Sequence, residues 1–329
     1  MIATRDFGST GWTVSEIGFG AWAIGGTWGD VSEEDAHAAL EAALDQGVSF
    51  IDTADVYGDG RSERIIGEVL AARDGPRPVV ATKLGRRLSP HVAGGYTADA
   101  MEGFVDRSLK NLRMDRLDLV QLHCPPTEVF YTPEVFDALE RMVEDGRIQH
   151  YGVSVEKVEE GLKALAYPNL ASVQIIYNMF RQRPQDLFLA EAKRAGVAVI
   201  ARVPLASGLL TGKMSRESTF DPEDHRNFNR QGEAFDVGET FAGVPFDVAL
   251  DAVEALREVL SPDVPMAQMA LRWILMQDGV TVAIPGAKSP QQARANAAAS
   301  ALPPLADEQM REIREIYERD IAPHVHQRW

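Results

Sequence analysis

Residues 50–60 read FIDTADVYGDG. The stretch closes an apolar run of Val48, Ser49, Phe50 and Ile51, then turns polar through Asp52, Thr53, Ala54, Asp55, Val56 and Tyr57. Two carboxylates and a phenol make a poor core and an over-elaborate turn. A strand that ends this way delivers side chains to its exit, which raises the question of what sheet supplies such exits.

Outward from this stretch the same pattern recurs. Short runs rich in Val, Ile and Leu fall at 16–20, 48–51, 79–82, 117–122, 148–153, 172–177, 197–201 and 281–284. They lack strict alternation, as strands covered on both faces do. Amphipathic helical segments lie between them. SEEDAHAALEAALDQG, from Ser32 to Gly47, has a Ser N-cap, acids in its first turn and a Gly stop. TPEVFDALERMVEDG, from Thr132 to Gly146, has Thr132 as cap and Pro133 at the first helical position. Further helices are predicted over 62–72, 97–112, 156–166, 184–195, 246–259, 266–276 and 290–299, with a tail helix over 307–320. Eight strand–helix units predict an α/β chain folded as a closed (β/α)8 TIM barrel, a single domain over residues 1–329. An open doubly wound sheet is the alternative. The opening TRDFGSTGWTVSEI predicts an N-terminal β-hairpin at the barrel bottom. The long connection 213–245, after the seventh strand, predicts a lid or binding loop.

Composition narrows the partners. The chain is 45% hydrophobic with a net charge of −16, which argues against nucleic acid or an anionic membrane as partner. Cys124 is the only cysteine, so no intrachain disulfide forms and a reducing compartment is compatible. The start shows no signal peptide and no stretch has the apolar length of a membrane helix. A cytoplasmic protein is expected.

Barrel chemistry gathers where strands finish. The exits carry Asp52, Lys83, His123, Ser154, Tyr177 with Asn178, and Arg202. Singly, Lys83 reads as a solvated loop lysine, Asp52 as a turn former and His123 as a satisfied rim histidine. Their convergence from distant parts of the chain points to a catalytic set. A phenol, with a reference pKa of about 10, is too weak an acid at neutral pH unless a neighbouring ammonium lowers that value. A carboxylate keeps such an ammonium charged, and a histidine adds a hydrogen bond to a substrate oxygen or joins the proton transfer. No metal is required.

Asp52 and Tyr57 in DTADVYG, Lys83 in VVATKLG and His123 in DLVQLHCP resemble the catalytic tetrad of the aldo-keto reductase superfamily. VSEIGFGAWAIGG, YGVSV, VQIIYNMF, VPLASGLLTGK and IPGAKSPQQARAN resemble further segments of that family, so the likeness covers almost the whole chain. The resemblance implies an oxidoreductase that passes hydride from NADPH, with NADH as the alternative, to a small-molecule aldehyde or ketone. Tyr57 would be general acid in reduction and base in oxidation, Lys83 and Asp52 would tune it, and His123 would orient the carbonyl. Gly20, Ala21 and Trp22 would approach the cofactor through the backbone, beside Asp52. Ser154 and Gln174 would hold the carboxamide, with Arg202 where a ring commonly stacks on nicotinamide. Val203, Pro204, Leu205, Ser207 and Gly208, with Lys213, would bridge the pyrophosphate. Gly286, Ala287, Lys288, Ser289, Gln292 and Asn296 would take the adenosine end, Lys288 pairing a 2′-phosphate. Trp22, Tyr57 and His123 would line the substrate pocket. Val155 departs from the Asn that many relatives carry there, and Gln292 from a phosphate-binding Arg. A second implied reading is a cofactor-binding, redox-sensing regulatory subunit with little turnover.

Other signals are set aside. GFGAWA, from Gly18 to Ala23, has the spacing of a dinucleotide fingerprint but opens no helix directly, so its glycines are assigned to close approach of the cofactor. His324 and His326 stand in a tail with no third ligand nearby, and no metal site is expected. Cys124, next to His123 on a strand, should face away from the site as an inert thiol. Asp55 reads as a loop or cap residue.

Overall fold

The computed structural model describes residues 2–26 and 31–329, so Trp28, the other tryptophan that follows the first strand, lies outside the described residues. Two short strands, β1 (Thr4–Asp6) and β2 (Thr13–Ser15), pair antiparallel with Arg5 opposite Val14. Eight strands follow in one parallel sheet: β3 (Phe19–Gly20), β4 (Phe50–Asp52), β5 (Val79–Leu84), β6 (Leu117–His123), β7 (Ile148–Ser154), β8 (Leu170–Ile176), β9 (Ala198–Arg202) and β10 (Val282–Ala283). They stand in sequence order, and parallel bridges from Ile17 to Ala283 and from Gly20 to Gly286 close the sheet on itself. This is the barrel that the alternating pattern predicts, with helices returning the chain outside it.

Side-chain alternation then decides what fills the lumen. Phe50, Ala81, Leu119, Ala198, Ile200 and Val282 form one apolar cluster with Phe7 and Val14 of the hairpin. Phe7 stacks on Phe50 at 5.3 Å, so the hairpin plugs the barrel bottom as predicted. Two residues further along each strand the inward track turns polar: Asp52 after Phe50, Lys83 after Ala81, Gln121 and His123 after Leu119, and Arg202 after Ile200. Ile51, Val80, Val120 and Leu122 point the other way, into the larger core beneath the helices.

Closure explains a glycine. A Cβ on Gly20 would stand 2.5 Å from the Ile284 carbonyl oxygen, and one on Gly18 would stand 3.0 Å from that of Phe50. The neighbour these glycines accommodate is thus the adjoining strand, where the sequence suggested a cofactor.

Several helices differ in detail. The segment predicted over 184–195 is a 3-10 turn, Arg183–Gln185, then a helix, Phe188–Arg194, broken at the non-helical Leu187. The tail helix Asp307–Ile316 widens into a π turn, Tyr317–Ile321, just before Pro323, which has no N–H to continue the α ladder. Thr132 precedes helix Pro133–Glu144, yet its hydroxyl donates to the Glu128 carbonyl at 3.0 Å and caps nothing. The connection 213–245 is built from a helical turn, His225–Phe228, and two 3-10 turns, Val237–Glu239 and Phe241–Gly243. Among the described residues no helix is long and apolar enough to cross a membrane.

Gly20→Ala is expected to lower stability by about 1–3 kcal/mol, because the methyl has only backbone to push against. Urea unfolding reads this directly, and an unchanged midpoint would contradict the closure geometry.

Candidate active site

The site grows from the polar ends of β4, β5 and β6. Lys83 Nζ donates to Asp52 Oδ2 at 2.6 Å, to the Thr53 carbonyl at 2.8 Å and to Tyr57 Oη at 3.3 Å. Asp52 Oδ1 accepts from Gln174 Nε2 at 2.6 Å and Gln121 Nε2 at 3.2 Å, so both carboxylate oxygens are satisfied. The loop after β4 folds Tyr57 back over this pair, with Tyr57 N donating to the Ala54 carbonyl and Ser62 Oγ to that of Ala21. The His123 ring stands edge-on to Tyr57, centroids 5.8 Å apart and planes at 85°. The structure therefore brings together the four residues singled out from the sequence.

Their electrostatics differ from expectation in one respect. Burial opposes the Lys83 charge, but Asp52 and Tyr57 outweigh it and the ammonium is held above its ordinary range. Burial lifts the Tyr57 phenol; Lys83 pulls it down, but Asp52 and Glu239 push it up again, and the net direction is upward. The sequence predicts a lowered phenol, and desolvation overturns that. Tyr57 consequently keeps its proton at neutral pH. Burial, then Arg86, Lys83 and Arg202, hold His123 well below its ordinary pKa, so it is neutral, and among the described residues its buried Nδ1 has no partner.

Trp22 lies nearly parallel to Tyr57, centroids 6.0 Å apart. His225 at 4.7 Å and Phe235 at 6.1 Å extend this wall, and both come from the connection 213–245. That connection is pinned by the chain end: Trp329 Nε1 donates to Asp236 Oδ1 at 2.9 Å, and the Arg181 guanidinium stands 3.9 Å from the Trp329 ring. The tail is packed, with Trp329 buried and His326 bonded to Tyr317 Oη.

A charged cluster borders His123. Arg202 Nη2 donates to Glu156 Oε2 at 2.8 Å and to the Val155 carbonyl at 3.1 Å; Arg86 bonds Glu156 Oε1 at 3.1 Å and grips Glu239. Arg202, at the position where a ring commonly stacks on nicotinamide, is thus held in place by Glu156 and the Val155 carbonyl. Cys124 was expected to face away, but its φ of 46° breaks the alternation after β6, and Sγ lies 3.5 Å from both Ser154 Oγ and Arg202 Nη2. Burial pushes its thiol up to about 12, so it is un-ionised.

The remaining candidates line the same rim. Gln174 spends its amide group on Asp52, leaving Oε1 for another donor. Val203, Ala206 and Ser207 hold left-handed φ angles beside Gly208, and Asn178 Nδ2 steadies this turn through the Val203 carbonyl at 2.9 Å. Such backbone costs of order 1–3 kcal/mol per residue and clusters at functional sites. Ser207 Oγ bonds the connection 213–245 at the Glu239 carbonyl and the Phe241 N–H, whereas Lys213 is exposed. Ser289 caps helix Pro290–Ala298, Gln292 Oε1 accepts from Lys288 N, and Asn296 Nδ2 donates to the Gly286 carbonyl. Burial lowers the Lys288 pKa, and Arg226, held on Asp224, lowers it further, which places a second cation nearby. Tyr177 leaves the set: it is fully buried and stacks on Trp273 at 5.3 Å.

Gln121, Arg86 and Glu156 were legible by position, two residues before His123, three after Lys83 and two after Ser154. Glu239, His225, Phe235 and Arg226 carried no such signal. Asp55, read as a loop or cap residue, is buried, and among the described residues neither of its oxygens has a hydrogen-bond partner. Burial and then Glu63 push its carboxyl up to about 7, against the pull of Arg87 and Arg107.

Known proteins resemble the chain over nearly its full length. A sequence model described as Aldo/keto reductase family matches residues 16–318. The chain is 33% identical over 327 residues to the aldo-keto reductase YhdN of Bacillus subtilis (strain 168), covering 96% of this chain and 94% of that one. It is 30% identical over 319 residues, and 92% of each chain, to an Oryza sativa subsp. japonica protein named "Probable voltage-gated potassium channel subunit beta". Among solved structures, the glycerol dehydrogenase of Gluconobacter oxydans has a TM-score of 0.78 at 29% identity, covering 98% of this chain and 96% of that one. An aldo/keto reductase of Klebsiella pneumoniae in complex with NADP and acetate has a TM-score of 0.70 at 25% identity, covering 96% of each.

Between its ordinary value of 3.8 and about 7, Asp55 holds a proton in the folded state that the unfolded chain has lost. Its contribution to stability is present in acid and falls as pH rises through that window. Asp55→Asn is therefore expected to gain on the wild type by a few kcal/mol between about pH 4 and pH 7 in urea unfolding. A difference that stays constant with pH would contradict the burial of this carboxyl.

Proposed function

The chain belongs to the aldo/keto reductase family, and we propose that it is an NADP(H)-dependent reductase of aldehydes or ketones in which Tyr57 is the proton donor. The observation that carries this reading is Lys83 Nζ, bonded at once to Asp52 Oδ2 and Tyr57 Oη beside a neutral His123.

A carbonyl oxygen gains negative character as its carbon is reduced, so a donor and a nearby positive charge stabilise that change. Tyr57 holds its proton through neutral pH and can release it to that oxygen. Lys83 favours the phenolate left behind, and Asp52 keeps Lys83 charged and aimed. A neutral imidazole carries one N–H, so His123 can orient the same oxygen without competing as an acid. Trp22, with His225 and Phe235, supplies an apolar wall that excludes water from the exchange.

The rim fits a nicotinamide dinucleotide. Ser154 and Gln174, paired across β7 and β8, would hold the carboxamide through Ser154 Oγ and Gln174 Oε1, with Asp52, Gly20, Ala21 and Arg202 beside them. The left-handed turn of Val203, Pro204, Leu205, Ser207 and Gly208, which follows β9, would bridge the pyrophosphate. The N-terminus of helix Pro290–Ala298, with Gly286, Ala287, Lys288, Ser289, Gln292 and Asn296, suits a phosphate, and Arg226 near Lys288 favours the extra charge of NADPH over NADH. When bound, the nicotinamide supplies the hydride for the carbonyl carbon. The exposed Lys213 is the weakest member of this set.

NADPH oxidation, followed optically across a panel of aldehydes and ketones, tests the reading. Tyr57→Phe is expected to lose about 10²–10⁴ in turnover while cofactor binding persists. Undiminished turnover would contradict the assignment. Tight NADPH binding without turnover on any carbonyl would favour a regulatory, redox-sensing role, in keeping with the channel-subunit relative.

A further inference from the structure

We infer that Arg86 and Arg202 form an anion site at the edge of the carbonyl pocket, that Glu239 is its resident anion, and that this residue restricts the pocket to uncharged carbonyl compounds. The inference rests on the reductase reading for its substrate class and on geometry for the site itself.

The two guanidiniums reach the rim from separate strands. Arg202 ends β9, Arg86 follows β5, and both engage the same carboxylate: Arg86 grips Glu239 through two nitrogens, and Arg202 Nη1 stands 3.5 Å from Glu239 Oε1. Convergent arginines on one carboxylate are the usual way a protein recognises a bound carboxylate or phosphate. Arg202 Nε, buried and with no acceptor, shows that the two glutamates do not use up the donors. The Arg202 side chain is 9% exposed and that of Arg86 18%, so the site is largely closed to solvent. Arg86 stands over the Phe235 ring at 5.7 Å, and Phe235 meets Trp22, which stacks on Tyr57.

Glu239 is not part of the barrel. It arrives on the 3-10 turn Val237–Glu239, held by Trp329 through Asp236 and by Ser207 through the Glu239 carbonyl at 3.2 Å. A carboxylate tethered in this way competes as an intramolecular ligand, with an effective concentration that a free anion must overcome to displace it. Its partner Glu156 differs: burial pushes the Glu156 carboxyl up, whereas Arg86 and Arg202 more than offset burial at Glu239 and hold it ionised. Of the two adjacent carboxyls, Glu239 is thus the one that the guanidiniums favour as the anion. A substrate bearing its own carboxylate near the carbonyl therefore meets Glu239 in the place it needs. The trio of Cys124, Glu156 and Glu239 is a poor metal site, because the two guanidiniums already hold its carboxyl groups and its thiol keeps its proton.

Calorimetric titration with benzoate, and with benzamide as the uncharged isostere, tests this on the NADP-loaded protein without requiring turnover. Glu239→Gln keeps the shape and removes the charge. It is expected to bind benzoate at least about tenfold more tightly than the wild type, with benzamide unchanged, and Glu239→Gln combined with Arg86→Met is expected to lose that gain. Equal benzoate affinity in wild type and Glu239→Gln, or a gain that survives loss of Arg86, would overturn the inference. Should Glu239→Gln fail to fold, wild-type calorimetry decides: benzamide is expected to bind at least about tenfold more tightly than benzoate, and equal affinities would overturn the inference. These titrations need no turnover, so a protein inert to every carbonyl of the panel would contradict the reductase reading and leave this inference to stand or fall on binding.

Discussion

One buried ion pair organises this molecule. Lys83 and Asp52 have side chains 0% and 4% exposed, and their atoms meet at 2.6 Å. Taking two charges out of water costs several kcal/mol per ion, and the pair survives only where every remaining hydrogen-bonding group is satisfied. Here the Thr53 carbonyl, Tyr57, Gln121 and Gln174 complete it. Removing either partner would leave an uncompensated charge in the lumen, a loss of roughly 3–5 kcal/mol. The interaction that makes the phenol useful is thus also one that the folded barrel needs.

The barrel makes this arrangement affordable by dividing its lumen along the strand axis. Phe7, Val14, Phe50 and their neighbours fill the bottom with apolar volume, and the next inward residues on the same strands bear charge. Because inward positions recur every second residue, a one-residue slip of β4 or β5 would turn the ion pair out among the helices. Closure at Gly20 and Gly286 holds the register. Above the rim, the connection 213–245 and the chain end at Trp329 form a second layer that meets the barrel through Glu239, His225 and Phe235.

Much of this was legible in the sequence, for physical reasons. Strand runs and helix caps depend on neighbours in the chain, so the eight strands and most helix limits could be read. Asp52, Lys83 and His123 could be found because barrel exits are a fixed address. What escaped depends on distant contacts. Nothing near Glu239 foretells the two arginines it meets, and nothing near Asp55 foretells its burial. The turn at Cys124, one residue past the strand, broke an alternation rule that held for His123. The direction of the Tyr57 shift was also misjudged, since proximity to Lys83 is visible in a motif and desolvation is not.

The central claim is that the proton delivered to substrate belongs to a buried phenol. The most direct measurement is kcat/KM for carbonyl reduction against pH. With Tyr57 above the ordinary phenol value of about 10, the rate is expected to hold level through neutral pH and to fall only in strong base. A fall with a midpoint near 6–7 would contradict the account, because it would assign the acid to an imidazole or to Asp55 in place of Tyr57.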